Sequence, residues 1–248
     1  MDKLFDKNVL EEPLSSWQRD AMEAFDKKIM NKEFKFPCIP AFQGYVLNHM
    51  RFGFIKDPRI PDTALELAAL LKTYGSISRE TGDYSALVIF FETPSDLKDS
   101  FSIQEYEQLF WNLLNQLALL DEAEWPDQIS STPAHHTWEF CFNNERYFFY
   151  CATPAHVQRK SRYFPYFMLA ITPRWVLEKY SSISERAEKM KERIRERLSE
   201  YDLVPPHPDL KWYGQSDNHE WKQYFLRDDD STIASCPFKH HMKNKNDS

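Results

Sequence analysis

The sequence predicts an α+β fold: a mainly antiparallel sheet with a central aromatic-rich hairpin, and helices packed on it. Two apolar runs, Trp-Glu-Phe-Cys-Phe at 138–142 and Arg-Tyr-Phe-Phe-Tyr-Cys at 146–151, flank Asn143, Asn144 and Glu145 and read as a β-hairpin. The second run is apolar without alternation, as expected for a strand covered on both faces. Leu-Val-Ile-Phe-Phe at 87–91 reads as another buried strand, within a longer segment 84–92, and completes the sheet core. Around these runs lie segments with helical apolar spacing and polar starts, which supply the covering layer.

In chain order, residues 1–13 are charged, end in Glu-Glu-Pro and read as a loosely held arm before a single domain at 14–238. A helix starts at Ser15 or Ser16, with a capping box from Ser15 to Gln18 and Trp17, Ala21, Ala24, Phe25 and Ile29 at helical spacing. Phe36-Pro37-Cys38-Ile39-Pro40-Ala41 reads as extended, because its two prolines oppose a helix. Residues 44–54, with His49 and Arg51, fit either helix or loop. Thr63 and Glu66 form a capping box for a helix to about Tyr74, with Gly75 past its end. Ser102 and Glu105 cap the longest amphipathic helix, whose apolar face (Ile103, Tyr106, Leu109, Phe110, Leu113, Leu114, Leu117) is broad enough to lie on a sheet. Residues 121–134 read as a loop. His135 and His136 follow it and point to opposite sides if extended, which opposes a joint metal site.

Residues 163–172 read as a fourth strand. Ser184 opens a helix to about Glu200, with a narrow apolar seam at Ile183, Ala187, Met190, Ile194 and Leu198 and a charged, solvated outer face. Residues 204–238 carry Trp212, Trp221 and Tyr224 in an irregular segment that wraps the body, and 239–248 read as a disordered polar tail.

Composition narrows the function. Five glycines and no G-x-G-x-x-G or G-x-x-x-x-G-K-[ST] pattern exclude nucleotide binding by those loops. A net charge of −7 argues against a general nucleic-acid partner. No window approaches the ~18 apolar residues of a membrane span, and the N-terminus has no secretory pattern, so a cytoplasmic protein without a membrane partner is expected. Cys38, Cys141, Cys151 and Cys236 contain no C-x-x-C pair and form no disulfide framework.

Candidate chemistry gathers at a few positions. Cys38, in a rigid apolar bracket, is either a small buried hydrophobe or a fixed thiolate, and a thiolate needs a positive or metallic neighbour. The hairpin exits into Thr153-Pro-Ala-His156-Val-Gln-Arg159-Lys-Ser-Arg162, and a loop after a buried strand often mounts ligand groups. The two arginines read equally as a salt-bridged loop. Glu139 interrupts an apolar strand and needs a cationic partner, either a substrate or Arg146 across the hairpin.

Six motifs occur in order: Phe-Pro-Cys-Ile-Pro-Ala (36–41), Trp-Glu-Phe-Cys-Phe (138–142), Thr-Pro-Ala-His with Arg-x-x-Arg (153–162), Pro-Arg-Trp-Val (173–176), Glu-Trp-Lys-Gln-Tyr (220–224) and Cys-Pro-Phe (236–238). Together they resemble the largely bacterial YqcI/YcgG family over essentially the whole ordered chain. A related branch comprises haem-dependent N-hydroxylases of guanidine-bearing amino acids. The resemblance therefore implies a haem-dependent monooxygenase, with haem b as cofactor, a small amine- or guanidine-bearing amino acid as substrate and an electron donor as partner.

The axial ligand to the haem iron stays open between Cys38 and His156, because this chain has Thr153 where the hydroxylase pattern has a histidine before Pro-Ala. A thiolate pushes electron density toward oxygen-oxygen cleavage, whereas a neutral imidazole favours a different balance of binding and activation. Arg159 and Arg162 match across both branches and are candidates to hold propionates or a substrate carboxylate. Two other functions suit the same scaffold: a non-catalytic haem- or small-molecule-binding protein, and a cofactor-free structural or regulatory protein.

Overall fold

The computed structural model describes residues 3–11, 13–181, 185–211 and 215–239. Among them, β1 (Met50–Ile55), β2 (Ala86–Phe91), β3 (Phe140–Phe142), β4 (Glu145–Ala152) and β5 (Met168–Pro173) form one sheet of order β1-β2-β5-β4-β3. The helices are α1 (Ser16–Ile29), α2 (Ile39–Val46), α3 (Thr63–Ile77), α4 (Ser95–Ser100), α5 (Ile103–Leu119), α6 (Arg174–Ser181), α7 (Glu185–Tyr201) and α8 (Trp221–Tyr224). The fold class is the expected α+β one, with a mixed sheet: β1 and β2 run parallel across the α3 connection, and the other pairings are antiparallel. No described helix is long and apolar enough to cross a membrane.

The hairpin is β3–β4, with Asn143 and Asn144 both at positive φ (50° and 61°), the conformation that a two-residue type I′ turn requires. It lies toward one edge, and β5 takes the centre between β2 and β4. Short β3 pairs only with residues 145–147, and α8 covers the β4 edge from the end of that pairing, where its Tyr224 hydroxyl lies 3.1 Å from the Tyr147 carbonyl and accepts the Phe140 N–H at 3.2 Å. Covering an unpaired edge in this way blocks further strand addition.

Both expected capping boxes are present. The Ser15 N–H donates to Gln18 Oε1 at 2.9 Å, and the Ser102 N–H to Glu105 Oε2 at 2.7 Å. Elsewhere the sequence expectations are corrected. The 36–41 segment is extended only to Cys38, where α2 begins. Pro40 sits in the first turn of α2, where a missing N–H breaks no helical bond. α3 has Asp62 rather than Thr63 before its first residue, because the Thr63 hydroxyl donates to the Asp57 carbonyl instead. α3 also runs through Gly75 to Ile77.

β5 starts at Met168, five residues later than expected, because Tyr163 bridges Thr153 and the chain turns before entering the sheet. The arm is anchored: Phe5 and Phe52 exchange backbone hydrogen bonds of 2.9 and 2.8 Å. His135 and His136 do not diverge, since a turn stacks their rings 4.6 Å apart. The expected cap at Ser184, with Ile183, and Trp212 lie outside the described residues.

Alternation divides the core. Leu87, Ile89 and Phe91 of β2, Tyr147, Phe149 and Cys151 of β4, and Leu169 and Ile171 of β5 pack with α3, α5 and α8. Val88 and Phe90, Tyr150 and Ala152, and Met168 and Ala170 face α1 and α2. Phe90 is at the centre of this second cluster, with Phe25, Phe52 and Phe164 rings at 5.7, 6.2 and 5.6 Å.

Candidate functional site

On the α1 and α2 side, the sheet and its helices line a largely apolar, partly open cavity of about 370 Å3, a size usual for small-molecule sites (~300–1,000 Å3). Its floor is Val88, Tyr150, Met168, Ala170 and Thr172, and its walls come from α1, α2, α6 and α7. Ala86 and Ala170 carry only methyl groups where the opposite face carries Leu87, Ile89 and Ile171, which leaves room above the floor.

Cys38 stands on the cavity wall at the start of α2. Burial pushes its thiol pKa up, and the Ala41 N–H, one turn on, offsets part of that shift. Lys28 of α1 also lines the cavity. Its ammonium donates to the carbonyls of Lys160 and Tyr163 at 2.8 and 2.9 Å, over the rings of Phe36 and Tyr201. Burial lowers its pKa to about 7, against the pull of Asp202.

One end of the cavity is polar. Arg174, at the start of α6, donates to Glu139 and to Glu220, and all three side chains are buried. Glu139 also receives Arg146 at 3.3 Å across the hairpin, and Arg146 reaches Glu178 at 2.7 Å. The Tyr224 hydroxyl lies 3.0 Å from the second oxygen of Glu220. Charges persist this deep only when each is paired and hydrogen-bonded, which this network achieves. Arg174 and Glu220 open onto the cavity, as do Gln223 and Lys211.

The candidate residues of the 153–162 loop are engaged elsewhere, and none of them lines this cavity. The His156 ring is buried, with Nε2 donating to the Leu226 carbonyl at 2.7 Å and Nδ1 accepting the Thr153 hydroxyl at 2.9 Å. Burial, helped by Arg162 and Arg159 nearby, lowers its pKa to about 4, so the ring is neutral at pH 7.

Arg159 donates to the carbonyls of Arg227, Pro205 and Asp229 and pairs with Asp230 at 3.0 Å. Arg162 caps α8 by donating to the carbonyls of Gln223 and Tyr224, both at 2.9 Å, and lies 4.2 Å over the Tyr150 ring. The Asp228 carboxylate collects the backbone N–H groups of Val157, Gln158 and Arg159, while Asp202 collects the N–H and hydroxyl of Ser161. The loop thus fastens the C-terminal segment to the sheet. The four cysteines are free thiols.

Sequence reasoning missed Lys28, Arg174, Glu220 and Gln223. A signal existed, because Arg174, Glu220 and Glu139 lie in three of the six motifs and meet in one network.

A concave, mostly apolar cavity with a few convergent polar groups is the layout that small-molecule sites take, and it defines the class: an α+β protein with a ligand-sized cavity. The chain belongs to the YqcI/YcgG family, whose profile matches residues 25–239. It is 51% identical to YqcI of Bacillus subtilis (strain 168) over 249 residues, covering 99% of this chain and 97% of that protein. YcgG of the same organism is 48% identical over 97% of this chain and 96% of its own length. A Streptomyces lavendulae protein named putative N(omega)-hydroxy-L-arginine synthase DcsA is 28% identical over 95% of this chain and 89% of its own. No solved structure matches the chain.

Proposed function

We propose that the chain is a haem-dependent monooxygenase that N-hydroxylates a small amine- or guanidine-bearing amino acid, using haem b and an external electron donor. The observation that carries this reading is a cysteine at a helix start on the wall of a largely apolar cavity, in a relative of DcsA. The residues present fit the group. Haem asks for an axial donor, apolar walls and cations for two propionates. Cys38 offers the donor, Phe25, Phe36 and Met168 the apolar lining, and Lys28, Lys191 and Lys211 the cations. When bound, haem supplies the activation of dioxygen that N-hydroxylation needs.

The chain's own residues do the rest. The first turn of α2 turns its N–H groups and the positive end of the helix dipole toward Cys38, which favours the thiolate against the burial that holds the free thiol protonated. The apolar wall excludes water. Cys38 is taken as ligand in preference to His156, since both His156 ring nitrogens are committed. The propionate role falls to the lysines because they line the cavity while Arg159 and Arg162 do not; Lys191 and Lys211 would exchange their present partners, Glu188 and Asp217, for propionates, and Lys28 would add to its two carbonyl contacts.

The test is an absorption spectrum of protein expressed with haem precursor, before and after dithionite and carbon monoxide. A stoichiometric Soret band that moves to the thiolate position, and fails to do so in Cys38→Ala, is expected. A protein that stays colourless on haemin titration overturns the reading. A Soret band that no amino acid perturbs points to a haem carrier instead.

A further inference from the structure

We infer that the polar end of the cavity, formed by Arg174, Glu220 and Lys211, recognises the α-ammonium and α-carboxylate of an amino acid and so turns the far end of its side chain toward Cys38. This rests on the amino-acid reading of the cavity and not on haem.

The two ends of the cavity are chemically unlike and well separated. Gly44 of α2 approaches Tyr84 so closely that a Cβ would stand 2.7 Å from the Tyr84 carbonyl oxygen, so this part of α2 marks the Tyr84 end. Cys38 lies six residues back along the helix, roughly 9 Å at the helical rise. On the sheet, Ile171 pairs antiparallel with Leu87, so β5 runs on past Thr172 toward the level of Tyr84 and delivers Arg174 there. Glu220 joins it through the ion pair.

This end answers both charges of an amino-acid head. A carboxylate meets Arg174 and Lys211, whose ammonium is shared with Asp217 at 2.6 Å, and an ammonium meets Glu220. Each Glu220 oxygen has one hydrogen-bond contact, from Tyr224 on Oε1 and from Arg174 on Oε2. An ionised carboxylate offers about four acceptor sites, so capacity remains. A lone cation or anion would unbalance the inner part of the network, where Arg146 and Arg174 match Glu139 and Glu220, whereas a zwitterion adds no net charge to it. With the head held there, the side chain of a basic amino acid extends along the apolar lining in the direction of Cys38.

The orientation is tested by calorimetric titration of the full chain, as isolated and after haemin addition, with L-arginine, L-lysine and L-ornithine. Two truncated probes follow: agmatine, which lacks the carboxylate, and 5-guanidinopentanoate, which lacks the α-amine. We expect a basic amino acid to bind and each truncation to weaken binding at least tenfold. Glu220→Gln should weaken L-arginine at least tenfold and 5-guanidinopentanoate less than twofold, the coupling that a direct contact gives. Agmatine binding as tightly as L-arginine, or no binding of any of the three amino acids in either form, overturns the inference. The truncated probes need no variant, so the test survives a Glu220→Gln chain that does not fold. Amino-acid binding without a Soret band would remove the haem reading alone.

Discussion

The two faces of the sheet are built from the same strands on different terms. Toward α3 and α5 the strands present Leu87, Ile89, Phe91, Phe149, Leu169 and Ile171, all fully buried against Leu67, Leu71, Phe110 and Leu114. Toward α1, α2, α6 and α7 the alternate residues include Ala86, Ala170 and Thr172, and a cavity of about 370 Å3 remains. One face is filled and the other holds space open. The missing polar alternation in β4 follows directly, since Phe148 and Tyr150 line an apolar cavity rather than meeting solvent. Stability should therefore concentrate on the filled face, and binding on the other.

The largest effects should separate neighbours in one strand. Phe149→Ala removes a fully buried ring and is expected to cost about 4 kcal/mol. Phe148→Ala enlarges a cavity already present and should cost about 1–2 kcal/mol. Urea denaturation of the pair reads the difference, and equal losses would break the division between faces.

Arg162→Ala comes next, at about 3 kcal/mol, because it strips a charged donor from carbonyls it now satisfies at the end of α8. Full stability with loss of haem in that variant would return the propionate role to Arg162.

Acid should act on the loop that joins these faces to the C-terminal segment. Unfolded His156 takes a proton below about 6.5, while the folded ring, desolvated and donating to Leu226, takes one only near 4. Between those values the unfolded state binds the extra proton. Stability is whole above pH 6.5 and falls as pH drops toward 4, by up to about 3 kcal/mol. His156→Gln should flatten that part of the stability-pH curve, and an unchanged slope would assign the acid sensitivity to other groups.

Much of the fold was legible in the chain because its signals are local. The Asn143-Asn144 turn, the boxes at Ser15 and Ser102 and the 87–91 strand each need only a few neighbouring residues. α2 was hidden because Pro40 opposes a helix everywhere except its first turn, which is where it stands. The cavity was hidden because Lys28, Cys38, Arg174 and Glu220 come together only through the strand order. The 153–162 loop stood out for its polarity, but sequence cannot tell a group that meets a ligand from one that meets Asp202, Asp228 and the carbonyls of its own C-terminal segment. Glu139 was the most informative single residue: a carboxylate inside an apolar strand demanded cations, and it has Arg146 and Arg174.

The smallest stability effect sharpens the comparison most. Cys38 occupies the N-cap of α2 without making a side-chain cap hydrogen bond. Serine is among the preferred residues at that position, so Cys38→Ser should change stability by less than about 0.5 kcal/mol, with any gain coming from the new cap. Its oxygen is a far poorer iron donor than a thiolate. The variant should thus unfold at nearly the wild-type urea midpoint while losing the thiolate-type carbonyl spectrum. A large fall in midpoint would mean that Cys38 is packed as structure, and the cavity face would then resemble the filled one more than its open volume implies.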